Sequence, residues 1–579
     1  MNHRSCTLCF VVAIGAGCPT LAQPQGSGSG SYTTVALAGD PAPVGGALDY
    51  FFQAPVINSR GNILIRATHR PTPTSVPIHG MLFGAAGDLS IPIDQLHTFT
   101  DEPDAPQFNS ARTWSLGDND TISISGLITL PGTSRWAVMS GRPGAIRIVA
   151  RETHPAPGVL NRPFVDLSTR APVNSSGQIV FAGKVNSTPW GVWMTDSGGI
   201  LQPVAVPYQS APVMGTTWRW DSLNYGPVLS DTGIAAFIPI ARNTQDNRTE
   251  SAVAVGDHLG LTVLARRGAQ AAGFPSGTTY DALRGPSISR DGRVVFPGRA
   301  RLASEYITGL WASTDAGGVR AVVVGTQALP GTPEGSTVLG VPLASINSSG
   351  SIMFTAKLAT GGPITASNND AIWLEREGVL TAIVREEDPI PGLGDTHMWF
   401  SDLDRYSQLN ESHQFAMRAL VYGEAVAEPK DWALLAWDPD LGLQVIALVG
   451  GEFQVAPGDV RTISAIDFAN SHIRVMDAMG PVGTGGTETG LNDRGQVAFT
   501  LRFTDNSHGI FIYTIGGCPA DWSGDGVINS GDISAFLTSW LASLQGGTVE
   551  ADFNGDGETN SGDISAFLTA WLNSVQGGC

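Results

Sequence analysis

Lysine is almost missing from this chain of 579 residues: only Lys184, Lys357 and Lys430 occur, so nearly all of the 33 basic side chains are arginines. With 52 acidic residues the formal net charge is −19, and no cluster of basic residues offsets it. That balance excludes phosphate-backbone contact and, with it, nucleic acid as a partner. Past the N-terminus no stretch approaches the roughly 20 apolar residues that a spanning helix needs, so no transmembrane segment is expected. Several catalytic signatures are absent too. No His is followed by Glu, which removes the zinc-protease helix, and neither the phosphate loop ending in Gly-Lys-Ser/Thr nor a G-x-G-x-x-G opening a helix occurs.

Cysteine is also scarce, with five in all. Three of them, Cys6, Cys9 and Cys18, lie in residues 1–22, which read as a secretory signal: His3 and Arg4 start it, Leu8 to Ala16 is apolar, and Thr20-Leu21-Ala22 offers a small-residue cleavage site. A lipoprotein acylated at Cys18 is the alternative, against which Gly15 stands where Leu is usual. The expected address is therefore secreted or cell-surface. A Gly/Ser linker, residues 23–31, follows. Once the signal leaves, Cys518 and Cys579 remain, bracketing the last sixty or so residues. Exported proteins tolerate disulfides, and closing this loop restricts the unfolded chain by about 4 kcal/mol in the entropy model. Two unpaired terminal thiols are the other reading.

What the chain has in abundance is glycine, 71 residues, placed with a period. A motif close to N-x-x-G-x-[IV]-x-F starts at Asn58, Asn174, Ser230, Ser289, Asn347 and Asn492, with eroded copies at Gly117 and Asn410. The eight starts are separated by 59, 57, 56, 59, 58, 63 and 82 residues. Asn or Ser opens a tight turn, Gly takes the positive-φ position, and alternating apolar residues continue as a strand. A second strand carries G-I-W (Gly191 to Trp193, Gly309 to Trp311) and a third ends in a G-D-P-A-P-G turn (Val35 to Pro43). A fourth, around F-x-x-L-x-x-P, leads into the next Asn turn. Four short strands in about 58 residues describe a propeller blade better than a solenoid coil.

The ends test closure. The last unit stops at Gly516-Gly517 without its final strand, whereas the first begins one strand early, at Tyr32 to Ala38. The N-terminal strand can therefore complete the last blade and leave no sheet edge exposed. The expectation is an eight-bladed β-propeller over residues 32–516, with seven blades plus an irregular unit as the rival. Phe181, Phe237, Phe296, Phe354 and Phe499, with Trp193, Trp311 and Trp373, are expected to pack between blades. The long last spacing places about two dozen extra residues between Asp467 and Gly490, a surface insertion or a binding loop.

Residues 517–579 repeat the string NSGDISAFLT, from Asn529 and from Asn560, each behind an Asp-rich loop. Asp521, Ser523, Asp525, Asn529 and Asp532 take positions 1, 3, 5, 9 and 12 of a calcium loop. Asp552, Asn554, Asp556, Asn560 and Asp563 do so in the second, while Val527 and Glu558 at position 7 offer carbonyls. Two Ca²⁺ ions are expected as cofactors, with metal binding serving as folding energy. Ile533, Phe536, Leu537, Trp540 and Leu541, and their repeats Ile564, Phe567, Leu568, Trp571 and Leu572, give two helices one shared apolar face.

This C-terminal segment resembles a dockerin domain, and the Gly-Cys at both edges resembles the GC-type dockerin anchor. The resemblance implies a cohesin-like protein partner, read in part by Ser530, Gly531, Ser561 and Gly562. The main domain resembles tandem NxxGxxxF-repeat exported bacterial proteins, which implies surface attachment. The fold class expected is thus mainly β, an eight-bladed propeller plus a small α-helical, dockerin-type paired calcium-loop domain.

No catalytic or cofactor-binding cluster emerges. His154, which replaces the Asp of the G-D-P-A-P turn, reads as a loop variant. Asp402 with Asp404, or Asp101, Glu102 and Asp104, read as solvated loops, although facing carboxylates are what a glycosidase needs. The expected function is an exported, non-catalytic binding or structural propeller, with a polysaccharide or cell-surface polymer as a ligand class. The alternative is a polysaccharide-active enzyme of a dockerin-based complex.

Overall fold

A turn opened by Asn and closed by Gly reverses the chain within four residues, and the repeat uses it once per sheet. The computed structural model describes residues 30–160, 162–186, 189–399, 409–426, 431–456, 458–468, 489–516, 520–522, 528–546, 551, 553 and 559–577. After β1 (Ser31–Leu37), blade 1 runs β2 (Ala47–Ile57), β3 (Ile63–Arg70), β4 (Ile78–Ala85) and β5 (Asp88–Asp94), each antiparallel to the last. The same path recurs over residues 107–151, 164–205, 218–266, 279–324, 338–385 and 396–448, and residues 459–514 supply most of blade 8. Eight sheets result, so the eroded copies at Gly117 and Asn410 are blades and the seven-blade rival falls.

Within a blade, burial rises inward from the rim. β3 and β4 are mostly buried, whereas β5 is half-exposed along most of its length, which places it outermost. Blade 8 lacks a strand of that kind in its own sequence. β1 supplies it, pairing from Ser31 opposite Thr514 to Leu37 opposite Gly509. The seam is tied further by Tyr32 Oη, which donates to the Ile446 carbonyl at 2.7 Å, and by Thr34 Oγ1, which donates to the Val455 carbonyl at 2.7 Å. Closure by the N-terminal strand is therefore observed, starting one residue earlier than expected. Blade 8 also carries an added strand, Glu452–Ala456, hairpinned onto its first strand. The long insertion before Gly490 lies, from residue 469 to 488, outside the described residues.

The motif aromatics form the seams. Phe181, Phe296, Phe354 and Phe499 oppose Trp193, Trp311, Trp373 and Phe511 on the neighbouring strand of their own sheets. Phe296 stacks on Trp311 at 5.9 Å and Phe354 on Trp373 at 5.9 Å, and all four rings are buried. Each pair packs against the preceding blade: Trp311 shares a core with Val228 and Ile238, and Trp373 shares one with Val295 and Leu310. A buried indole N–H needs a partner. It finds one in the interblade loop, where Pro157, Ala272 and Pro330 carbonyls accept from Trp193, Trp311 and Trp373 at 3.0 Å each. The G-I-W strand and the proline-rich turn thus belong to one hydrogen-bonded device.

Two helices complete the described chain, α1 (Ser530–Gly546) and α2 (Ser561–Gly577). Phe536 and Phe567 are fully buried and stacked, 4.2 Å apart and 9° from parallel. Leu537, Leu541, Leu568 and Leu572 do not join that core as their spacing predicted; they remain 40–51% exposed. The reason is geometric: Ile533, Trp540, Ile564 and Trp571 pack with Trp522 and Phe553 around that pair and fill the seam, and residues one position round the helix fall outside it. Among the described residues no helix is long and apolar enough to cross a membrane.

Candidate functional site: the axial turn ring and the C-terminal loops

Each opening Asn has an amide with two jobs. Its Oδ1 accepts the N–H group four residues on and, in Asn58, Asn174 and Asn492, the one two residues on as well: Asn174 accepts from Ser176 (3.2 Å) and Gln178 (2.8 Å), and Asn492 from Arg494 (3.0 Å) and Gln496 (2.9 Å). Its Nδ2 donates outward, to the carbonyl of the opening residue in the next blade. Asn58 reaches Gly117 (3.2 Å), Asn174 reaches Ser230 (3.0 Å), Asn347 reaches Asn410 (3.1 Å), Asn410 reaches Asn492 (3.0 Å), and Asn492 reaches Asn58 (2.8 Å). Five of eight junctions are thereby stitched in one rotational sense, including the one that closes the ring. Serine keeps only the first job. Ser230 Oγ accepts from Ile234 N, and the junction onward is made by the backbone instead, Asp231 N donating to the Arg290 carbonyl at 3.0 Å. The turn glycines sit at positive φ, for example 87° at Gly61 and 73° at Gly495. In the eroded copies Asp120 (66°) and His413 (63°) hold that conformation, which those residue types tolerate.

The residue after the opening one is where charge gathers: Asp118, Asp231, Arg290, Glu411 and Asp493 occupy it in blades 2, 4, 5, 7 and 8. The acids face back to the preceding blade. Asp118 Oδ1 accepts Ser59 N–H (2.7 Å), Asp231 Oδ1 accepts Ser175 N–H (2.8 Å), Glu411 accepts Ser348 N–H (3.0 Å), and Asp493 Oδ1 accepts Glu411 N–H (3.0 Å). Arg290 crosses among them. Its Nη1 meets Asp118 Oδ2 (2.5 Å) and Asp231 Oδ2 (3.2 Å), and its Nη2 meets Asp493 Oδ2 (2.8 Å) and Ser59 Oγ (3.1 Å), so one side chain of blade 5 bonds blades 1, 2, 4 and 8. Burial works to lower the guanidinium pKa, but Asp493, Asp118 and Asp231 outweigh it and push it up. Burial likewise works to raise Asp118, yet Arg290 and the Ser59 bonds hold its carboxyl below the usual range. Glu411 lacks such a cation at contact distance; burial foremost, with Asp493 adding to it, pushes it up against its Ser348 bonds. Four carboxylates do converge at this mouth, but each accepts a backbone N–H and three share one guanidinium. Among the described residues no group of three or more His, Cys, Asp or Glu is placed to hold a metal.

The acids singled out in loops divide. Asp402 and Asp404 lie outside the described residues. Glu102 and Asp104 bind Arg151, at 3.3 and 2.8 Å, and Arg151 Nε also donates to His154 Nε2 at 2.7 Å, which lies 2.9 Å from Glu102 Oε2. His154 is thus tied to the neighbouring interblade loop, whereas Asp40 and Asp388 in its place accept N–H groups of their own turns, from Leu37 and Arg385. The axial partnership of Arg290 was invisible in one-dimensional sequence, although four acids and one base at the same motif position were a signal that could have found it.

In the C-terminal loops, Asp521, Asn529, Asp532, Asn560 and Asp563 are described, while Ser523, Asp525, Val527, Asp552, Asn554, Asp556, Glu558, Cys518 and Cys579 lie outside the described residues. Asp532 and Asp563 are fully buried in the first helical turns, where each Oδ2 accepts the N–H of Asn529 (2.8 Å) or Asn560 (2.7 Å). Asn529 and Asn560 Oδ1 accept Gly531 and Gly562 N–H at 2.6 Å, so position 9 caps the helix and position 12 completes a capping box. The loops are tied reciprocally. Trp540 Nε1 donates to the Asn560 carbonyl (2.7 Å) and Trp571 Nε1 to the Asn529 carbonyl (2.9 Å). A buried carboxylate at position 12 with only oxygen donors at the neighbouring loop positions fits a hard cation. Ser530, Gly531 and Ser561 are exposed at the helix starts and Gly562 is half-buried.

The fold is that of an eight-bladed β-propeller closed by its N-terminal strand. The chain belongs to DUF7453, a family of unknown function whose model matches residues 23–251 and 188–519. No curated protein sequence matches it. Among solved structures, it is similar to the β-propeller domain of the Trilobed protease from Pyrococcus furiosus, described as having an open velcro topology, at 9% identity over 70% of this chain and 94% of that one, TM-score 0.31. A protein of unknown function from Dyadobacter fermentans matches at 11% identity over 72% and 99%, TM-score 0.24. The GH74 xyloglucanase from Xanthomonas campestris matches at 13% identity over 76% and 64%, TM-score 0.28. Nothing about activity follows at those scores.

Proposed function

We propose that this protein is an exported, non-catalytic binding or structural propeller, attached to a cohesin-like partner at the cell surface or in a multiprotein complex through a calcium-dependent, dockerin-type module. The observation that carries the reading is the reciprocal helix pair. Two near-identical helices lock their loops through Trp540 and Trp571, and each leaves an apolar stripe outside, Leu537, Leu541 and Leu544 on one and Leu568, Leu572 and Val575 on the other. Matched stripes beside small exposed residues at the helix starts suit a protein partner that can take either repeat. Calcium would be held by the acidic loop positions and would order the loops by neutralising carboxylates that otherwise repel.

The non-catalytic part rests on the axis. A glycosidase needs two carboxylates free to act as acid and base or nucleophile. The carboxylates that meet at the turn-side mouth are instead committed to backbone amides and Arg290, which supports a structural role for them. The test is capture from native extract on the immobilised full-length protein. A partner retained in calcium, released by chelator, and lost with the double variant Leu541→Glu/Leu572→Glu supports the reading. Retention indifferent to both treatments sinks it, and reproducible polysaccharide cleavage by the purified protein sinks the non-catalytic half.

A further inference from the structure

Binding by the ring needs a surface, and the turn-side mouth is crossed by Arg290, which leaves the opposite face. That face carries the turns between the second and third strands, because successive antiparallel turns alternate ends. There the first residues of the third strand show a pattern. Directly before the small residue of the G-I-W motif stand Trp432, His508, His79, Trp136 and Trp190, each starting or near the start of its strand, in blades 7, 8, 1, 2 and 3. Those blades are consecutive across the closing seam.

The rings are held rather than loose. Arg418 lies 4.0 Å over Trp432, Lys184 lies 4.6 Å over Trp190, and Arg112 lies 5.8 Å from the Trp136 ring centre. At the seam, Tyr50 packs on His508 (4.6 Å) and Phe52 on His79 (5.6 Å), with Arg66 lying 4.5 Å over Phe52. Trp136, Trp190, Trp432, Tyr50 and Phe52 are all half-buried, and a half-buried ring beside a fixed cation presents a pre-oriented apolar face with polar atoms at its rim.

Most charges along the arc are already matched, Arg66 and Arg112 being the ones with no acid in ion-pair range among the described residues. Arg70 pairs with Asp49 (2.7 Å), Lys184 with Asp166 (3.5 Å), and Asp467 takes both Arg418 (4.0 Å) and Arg502 (3.4 Å). A polyanion would have to displace these carboxylates and approach a chain of net charge −19. A partner made of flat apolar faces rimmed by hydroxyls matches both features: the faces meet the rings, and the hydroxyls meet the planar carboxylate and guanidinium groups. We propose that the face opposite the Asn turns, along blades 7, 8, 1, 2 and 3, binds a neutral polysaccharide. This deepens, and rests on, the reading of the ring as a binding module.

The experiment is affinity gel electrophoresis of the full-length protein in calcium, with hydroxyethylcellulose, galactomannan and pullulan as neutral probes and polygalacturonate as the anionic one. At least one neutral glycan is expected to retard the protein, and Trp136→Ala with Trp190→Ala is expected to weaken that binding about tenfold or more, since stacked rings supply most of the contact. Trp432→Ala, in a different blade, should weaken it as well, which guards against a local folding defect. Retardation by polygalacturonate alone, by none of the four, or unchanged in all the variants overturns the proposal. If glycan binding fails while calcium-dependent capture of the protein partner persists, this inference falls alone; if capture fails while glycans bind, the anchor reading falls alone.

Discussion

Replacing Arg290 with Ala tests whether the ring is tied at its axis. The substitution leaves Asp118, Asp231 and Asp493 without the guanidinium they share at 2.5, 3.2 and 2.8 Å. Breaking a fully buried ion pair by removing one partner costs about 3–5 kcal/mol. These side chains are 17–25% exposed, so solvent screens part of that, and a loss of about 2–4 kcal/mol is expected. Arg290→Lys keeps the charge but reaches fewer acids and should lie between. The pH dependence carries the mechanism. In the wild type Asp118 titrates below its unfolded value, so its contribution is present above about pH 4 and is lost as pH falls through the lower folded value. In the variant the uncompensated carboxylates gain protons more readily when folded, so the deficit relative to wild type should be largest above about pH 5 and shrink toward pH 4. Equilibrium urea unfolding at several pH values reads this directly. A deficit below about 0.5 kcal/mol, or one independent of pH, refutes the electrostatic tie.

Asn492→Ala removes both the turn bonds and the amide that closes the ring onto Asn58, and should cost about 1–3 kcal/mol by urea unfolding. Asn492→Ser should cost less, because the hydroxyl can still serve the turn as Ser230 does; equal stability of both variants and wild type would remove the stitch. Glu411→Gln should stabilise at pH 7, because burial holds the wild-type carboxyl above its ordinary pKa and the folded state disfavours the anion. That gain should vanish below about pH 4, where the wild type is protonated in both states, and its persistence there would contradict the assignment. Asp552→Ala should weaken calcium uptake more than Asp521→Ala, since Ser523 is a poorer ligand than Asn554, and titration calorimetry showing the reverse order would overturn the site ranking.

Much of the ring was legible because one local rule repeats. Asn at the turn start, Gly at positive φ and Phe seven residues on are each demanded by backbone and packing within a blade, so they survive in sequence at a constant period. Closure was legible for the same reason: a unit missing its last strand and a chain beginning with one are complementary in one dimension. What sequence hid is contact between distant copies. The Asn Nδ2 bonds to the next blade, and Arg290 reaching Asp493 and Ser59 across the axis, depend on eight turns meeting at one place, which no local window contains. His154 was underread because its partner Glu102 sits in another interblade loop. Of the helix stripes, Ile533, Phe536, Trp540 and their repeats join the core while the leucines stay half outside, since spacing defines a face but not how much of it the partner helix covers.

Anchoring of the ring by a calcium-driven module is checked by isothermal titration of Ca²⁺ into the chelator-stripped full-length protein. Two ions per chain are expected to bind, the first loop more weakly because Ser523 replaces an acid or amide ligand. No uptake at millimolar calcium would contradict that anchoring.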